Sequence, residues 1–211
     1  MNDNKKHITG VILAGGRAKR MAGQDKGLLS VNNQPMIKVI IDQLVPQVKN
    51  MIINANRNIE EYQKFNYPVI SDDNSSHFNG PLAGMLSAMN TITANKESHT
   101  DYILSVPCDS PFFPADLSER LLSEILKHNA DICVVHDGER IQPVFALIKT
   151  SLVDSLQAYL DGGDRKIDLW YQQHNTVLAD LSDYKNISLN INTPEDLQNL
   201  EQQLNENKRV C

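Results

Sequence analysis

The chain has 211 residues, 41 % of them hydrophobic and 22 % charged, with a formal net charge of −6. This is ordinary globular composition, sufficient for one packed domain or a domain with a small lobe, and it excludes fibrous, disordered and disulfide-dense classes. The acidic balance speaks against broad binding to nucleic acid or to a membrane surface.

The run 8–13 predicts a first strand, which empties into Gly15 and Gly16. Pro35 stands where a helix can begin, and Ile37, Ile40, Ile41, Leu44, Val45 and Val48 follow at helical spacing. Residues 51–55 read as a second strand, 60–65 as a short helix and 68–71 as a third strand, with polar loop over 72–79. Gly80-Pro81-Leu82-Ala83-Gly84 opens a helix expected to run to about residue 92. A fourth strand over 102–106 is stopped by Pro107, and Leu117, Leu121, Leu122 and Ile125 stripe the next helix. Strands are expected over 131–135 and 144–148, a helix over 151–159 ending at Gly162-Gly163, and a further helical turn over 169–174. Late strands are expected over 177–181 and 187–191, then a helix entered through Thr193-Pro194-Glu195-Asp196, with a frayed tail over 205–211.

The alternation predicts an α/β fold of three layers, Rossmann-like, with a mostly parallel sheet and helices on both faces. We expect one domain over 1–211, in two halves, one to about residue 110 and the other over 111–204. The start, MNDNKKH, lacks the apolar core of a signal peptide, and no apolar run approaches the ~20 residues of a membrane helix. The three cysteines, Cys108, Cys133 and Cys211, follow no disulfide framework. The expected compartment is the cytoplasm. The six histidines are scattered without metal-ligand spacing.

In such sheets ligands bind beyond the carboxyl ends of the strands. The polar positions there are Ala14-Gly15 after the first strand, Asn54 at the end of the second, Asp72 after the third and Asp109 after the fourth. The loop over 13–26 carries four cations, Arg17, Lys19, Arg20 and Lys26, against the single acid Asp25, a net +3 within a chain of −6. Backbone N–H groups and cations behind a glycine turn suit a polyphosphate, with Lys26 reaching back as a point charge. Two common phosphate motifs are absent: Lys26 is followed by Gly27, so there is no G-x-x-x-x-G-K-[ST] loop, and no G-x-G-x-x-G stands at this strand end. Asp109, after a strand and the rigid Pro107, is the candidate Mg²⁺ ligand. Cys108 reads as a small packed residue, and Trp170 as packing.

The segment LAGGRAKRMAGQDKGLL resembles the bacterial molybdenum cofactor guanylyltransferase family of nucleotidyltransferases. Sugar-1-phosphate transferases typically carry glycine two places after the glycine pair, where this chain has Ala18. The resemblance continues through Ile53–Arg57, Gly80–Gly84, Pro107-Cys108-Asp109, His136–Arg140 and Asn190–Pro194, so it spans nearly the whole chain. It implies transfer of GMP from GTP to the terminal phosphate of molybdopterin, with Mg²⁺ as cofactor, giving molybdopterin guanine dinucleotide and pyrophosphate. It implies GTP and molybdopterin as partners, with other cofactor-biosynthesis or acceptor proteins, and no nucleic acid or membrane. On this reading Arg20, Lys26 and Asp109 are catalytic. Leu13, Ala14, Gly15, Gly16, Lys26, Asn54, Asp72, Gly84 and Asp109 contact the nucleotide.

Asn54 and Asp72 could equally be turn residues that end strands, and Gly80–Gly84 a plain glycine–proline helix entry. Arg165 and Lys166 can grip the acceptor phosphate or simply be a solvated basic pair. Asn190 and Asn192 share one strand face by period-two geometry and can donate to phosphate or a polar heterocycle, or merely prepare the last helix. Residues 137–140 form a hairpin tip or an acceptor-side loop. Three alternatives remain at this level: a cytidylyltransferase, a sugar-phosphate transferase of the same fold, and a noncatalytic molybdopterin or nucleotide carrier.

Overall fold

Nearly uninterrupted apolar runs make the central strands, because a parallel sheet is covered on both faces. The computed structural model describes residues 7–14, 25–72, 80–95, 100–184, 186–187, 189–191, 195–196 and 198. The expectations for Gly15, Gly16, Arg20, Asn192, the Thr193-Pro194 helix entry and the tail lie outside these residues. The strands are β1 (Ile8–Leu13), β2 (Ser30–Val31), β3 (Gln34–Pro35), β4 (Asn50–Asn54) and β5 (Val69–Ile70), followed by β6 (Tyr102–Pro107), β7 (Ile132–His136), β8 (Ile141–Lys149) and β9 (Thr176–Asp180). The helices are α1 (Met36–Leu44), α2 (Ile59–Gln63), α3 (Pro81–Ala94), α4 (Leu117–His128), α5 (Val153–Asp161) and α6 (Ile167–Tyr171).

Seven strands form one sheet in the order β5-β4-β1-β6-β8-β7-β9. Only β8 runs antiparallel to its neighbours, so the expected mostly parallel sheet is present. Period-two alternation divides the strand side chains between two cores. Ile12, Ile53, Leu104, Val106, Cys133 and Leu147 face α1 and α4. Val11, Ile52, Ile103, Val134, Ala146 and Ile148 face α3, α5 and α6. Those two helical layers make the three-layer sandwich. Among the described residues no helix is long and apolar enough to cross a membrane.

Three elements differ from the sequence reading. The helical pattern begun at Pro35 was expected to run on through Val45 and Val48. The α-helix ends at Leu44 and tightens to a 3-10 turn over Val45–Gln47, because Pro46 has no N–H for an i→i−4 bond. A small hairpin, β2–β3, precedes α1: Asn32 and Asn33 take positive φ values of 48° and 65°, as a two-residue primed turn requires. Residues 187–191 were expected as a strand. Ile187 instead lies in a turn and Leu189–Ile191 in irregular backbone, with the Ile187 N–H donated to Tyr184 O and the Leu189 N–H to Asn186 O.

On the α5–α6 face, Trp170 is fully buried and donates its indole N–H to Ser155 Oγ (3.4 Å). The His174 ring stands edge-on to it, 5.1 Å between centroids, with Nε2 3.0 Å from Ser155 Oγ. Burial holds the His174 imidazole below its ordinary pKa, against a smaller opposing pull from Asp131. The unfolded chain therefore binds this proton more readily, so the neutral ring's contribution is complete above the free-imidazole pKa of ~6.5 and declines as pH falls below it. We expect the melting temperature to fall more between pH 7.5 and 5.5 for the wild type than for His174→Gln, as measured by thermal scans in matched buffers. Parallel curves would remove His174 from this role.

Candidate active site

β1 hydrogen-bonds to β4 on one side and to β6 on the other, parallel to both. The chain leaves β1 outward to β4 and β5, then returns across to β6. The crevice between β1 and β6 is therefore a topological switch point, where open α/β sheets bind ligands. Register brings the ends level: Leu13 pairs with Asn54 and with Pro107. The Ala14 N–H donates to Asn54 O (2.8 Å) and the Cys108 N–H to Leu13 O (3.1 Å), extending the ladder by one residue on each side. Leu13, Ala14, Asn54 and Asp109 thus share one rim.

Across this crevice Lys26 Nζ donates to Asp109 Oδ2 at 2.8 Å. Their side chains are 19 % and 24 % exposed, enough for solvent or a ligand to reach both. The loop that carries Asp109 is anchored from a distant segment. The Ile191 N–H donates to Asp109 O (2.8 Å), and the buried Ser110 hydroxyl donates to Asn190 Oδ1. This docking explains the missing strand over 187–191, because the Ile191 backbone donor serves the β6 loop and not a sheet ladder.

A second network lies at the β4 and β5 ends. Both Asp72 carboxylate oxygens accept side-chain amides, Oδ1 from Asn54 (2.9 Å) and Oδ2 from Asn56 (2.7 Å), while the Asp72 N–H donates to Asn56 Oδ1 (2.8 Å). Asn54 is only 2 % exposed. Gly84, on the first turn of α3, was expected to allow close approach of backbone to nucleotide. Here a Cβ at Gly84 would lie 2.5 Å from Asn54 Oδ1 and 2.8 Å from Leu13 Cδ2. The glycine makes room for the Asn54 side chain.

A third group escaped the sequence reading. The Asp25 side chain is 2 % exposed. Its Oδ1 accepts the Tyr62 hydroxyl (2.6 Å), its Oδ2 accepts Asn58 Nδ2 (3.1 Å), and Arg57 Nε lies 3.6 Å from Oδ2. The available signals were an acid immediately before Lys26 and the Asn-Arg-Asn run after β4. Burial foremost, with the bond to the Asp25 carboxylate and its charge, pushes the Tyr62 phenol pKa up, so the hydroxyl remains a donor. Burial foremost, with the Asp109 and Asp25 charges, pushes the Cys108 thiol pKa well up against the opposing effect of Lys26. Cys108 is thus a protonated, packed residue and no nucleophile, as its position suggested.

Arg165 and Lys166 fall in the turn between α5 and α6. Arg165 Nη1 donates to Leu160 O (3.0 Å) and Asp164 O (2.6 Å), and Lys166 O accepts the Tyr159 hydroxyl (2.8 Å). These bonds close the carboxyl end of α5. Residues 137–140 form the tip between β7 and β8, where Asp137 accepts the Glu139 and Arg140 N–H groups and Gln142 Nε2.

The MobA-like NTP transferase domain matches residues 10–177, which span the rim, the Lys26–Asp109 pair and every strand from β2 to β8 in full. The chain belongs to the MobA-like NTP transferase family. It is 53 % identical over 193 residues to the molybdenum cofactor guanylyltransferase of Shewanella sediminis, covering 92 % of this chain and 95 % of that one. The corresponding Shewanella loihica protein is 51 % identical over the same shares. Among solved structures, molybdopterin-guanine dinucleotide biosynthesis protein A of Archaeoglobus fulgidus superposes with a TM-score of 0.74 at 21 % identity, over 94 % of this chain and 99 % of that one. The 4-diphosphocytidyl-2C-methyl-D-erythritol synthase of Anaerococcus prevotii gives 0.72 at 13 % identity, over 97 % and 100 %. These two share the fold. The MobA-like chain is a nucleotidyltransferase.

For a divalent cation, this MobA-like rim offers a specific donor set. Among the described residues there is no cluster of three or more His, Cys, Asp or Glu side chains able to hold a metal. Asp25 and Asp72 each have both carboxylate oxygens bonded to protein side chains, and Cys108 keeps its proton. Asp109 remains, a single partly exposed carboxylate. One carboxylate fits Mg²⁺, which keeps several waters and takes substrate phosphates, and does not fit an all-protein cage.

The Gly84 packing yields a sign prediction. Alanine in a helix interior normally stabilises relative to glycine by ~1 kcal/mol, whereas overpacking costs ~1–3 kcal/mol. With the new Cβ under 3.0 Å from two neighbours, overpacking wins. We expect Gly84→Ala to lower stability in urea denaturation and to weaken nucleotide binding as Asn54 is displaced. A variant as stable as the wild type would mean that Asn54 has room to move.

Proposed function

We propose that this MobA-like nucleotidyltransferase transfers GMP from GTP to the terminal phosphate of molybdopterin, releasing pyrophosphate. The observation that carries the reading is the Lys26–Asp109 pair, 2.8 Å apart across the switch point of a parallel sheet. A noncatalytic carrier needs neither a leaving-group cation nor a metal acid at that place. The choice of guanine and molybdopterin is supported by relatives about half identical over most of their length that are named molybdenum cofactor guanylyltransferase.

The residues divide the work by charge. Lys26, a compact ammonium on a flexible stem, exchanges its carboxylate partner for the phosphates of the nucleotide and stabilises the departing pyrophosphate. Arg20 and the backbone of Gly15 and Gly16 complete that anion site. Asp109 would hold Mg²⁺, which supplies neutralisation of charge on the phosphate oxygens when bound. Leu13, Ala14, Asn54 and Asp72 line the nucleoside side, where the locked Asp72 carboxylate presents a fixed acceptor edge. Arg165, Lys166, Asn190 and Asn192 are assigned to the acceptor. The attacking phosphate is already ionised and needs no general base, so positioning and electrostatics provide most of the rate. With its proton retained, Cys108 takes no part in covalent chemistry.

Pyrophosphate release, measured with Mg²⁺, molybdopterin and each of GTP, CTP, ATP and UTP, tests the reading. GTP alone is expected to support release, with loss when acceptor or Mg²⁺ is withheld. Asp109→Asn is expected to lose roughly 100-fold or more in turnover, with an unchanged melting curve. Release with CTP in place of GTP would overturn the base assignment, and silence with every nucleotide would overturn transfer itself.

A further inference from the structure

Lys26 is held from both sides by one buried group. Asp25 precedes it, and Asp25 O accepts the Leu28 N–H (3.1 Å) while Lys26 O accepts the Leu29 N–H (3.2 Å), so residues 26–28 form a single 3-10 turn. The Asp25 carboxylate is fixed to α2 through Tyr62, itself fully buried, and to the residue before α2 through Asn58. Asn58 takes a left-handed φ of 51° and its side chain makes no cap bond to the helix; its amide goes to Asp25. Gly27, on the other side of Lys26, lies against the same hydroxyl: a Cβ there would come 2.6 Å from Tyr62 Oη. Glycine at 27 and hydroxyl at 62 are thus a matched pair. Asp25 is no second metal acid, since Oδ1 and Oδ2 both have protein partners and the side chain is 2 % exposed.

We propose that Asp25, Asn58 and Tyr62 are positioning residues that set the place of the Lys26 ammonium at the β1–β6 crevice. The inference rests on the reading of Lys26 as the phosphate-binding cation. A buried, fully bonded carboxylate is rigid because losing any partner leaves a charge uncompensated in low dielectric. That rigidity passes to Lys26 through one peptide unit. An ammonium misplaced by about 1 Å can cost up to roughly 100-fold in rate.

The test is a pair of double-mutant cycles on pyrophosphate release with GTP, Mg²⁺ and molybdopterin, with melting curves for every variant. Tyr62→Phe keeps the buried ring and removes the hydroxyl. It is expected to lower kcat/KM for GTP roughly tenfold and to leave KM for molybdopterin unchanged. Lys26→Ala is expected to lower kcat/KM roughly 100-fold, and the double variant to be no worse than Lys26→Ala alone, because Tyr62 acts through Lys26. In the second cycle, Gly27→Ala is expected to be impaired and Gly27→Ala combined with Tyr62→Phe to return to the level of Tyr62→Phe, the collision being gone. Should Tyr62→Phe fail to fold, Asp25→Asn takes its place in the first cycle. Losses that multiply in the Lys26 cycle, or wild-type kcat/KM in Tyr62→Phe, would overturn the positioning role while leaving the Lys26 reading intact. Full activity in Lys26→Ala would overturn the Lys26 reading, and the positioning role with it.

Discussion

Parallel pairing on both sides of β1, with strand ends in level register, is the constraint on which the rest of the molecule depends. Leu13 lies opposite Asn54 and opposite Pro107. Parallel strands cannot be joined by tight turns, so each must be followed by a crossover that packs on a face. Those crossovers bury both faces and leave only the strand ends for polar chemistry. The groups that follow the central strands, at 25–26, at 54 and 56, at 72 and at 109, therefore collect on one rim although they are scattered through eighty-odd positions of sequence (Lys26 and Asp109 are 83 apart).

The rim is graded in burial, and the grading separates scaffold from chemistry. Asp25 and Asn54 are each about 2 % exposed and hydrogen-bonded to protein side chains. In low dielectric such networks hold one geometry, since every alternative strands a charge or an amide. Lys26 and Asp109 are 19 % and 24 % exposed and are paired with each other. An ion pair with access to solvent contributes little net stability, so its members can change partners at small cost. Groups meant to meet a substrate are those whose present bonds are weakest, mounted on neighbours whose bonds are strongest.

Much of this was legible in the sequence, for physical reasons that also mark where legibility stopped. The six residues of β1 and the run of β6 declare themselves because buried parallel strands need continuous apolar side chains. Lys26 and Asp109 declare themselves because a cation after a glycine turn and an acid after a strand are unusual at adjacent strand ends. Residues 187–191 misled: Ile187, Leu189 and Ile191 alternate like a strand, and periodicity carries no information about which group a backbone N–H will serve. The β2–β3 hairpin was too short for periodicity, although Asn32-Asn33 held the turn signal. The Asp25–Tyr62 bond spans 37 residues, and its partners look unrelated until α2 is folded against the loop. Gly84 was found but for another reason, since the side chain it accommodates belongs to a different strand.

The docking of residues 189–191 gives the two halves of the chain a shared element. The same short segment supplies Asn190, on the acceptor side of the sequence reading, and the Ile191 N–H that holds the Asp109 carbonyl. Ser110, wholly buried, adds a second tie through its hydroxyl to Asn190. A displacement of this segment therefore moves the loop bearing Asp109, and a shift of Asp109 is felt at Asn190. Separate nucleotide and acceptor halves describe the sequence order; in the folded chain the loop bearing Asp109 and the late segment are one mechanical unit, because the Asp109 carbonyl accepts the Ile191 N–H and the buried Ser110 hydroxyl donates to Asn190.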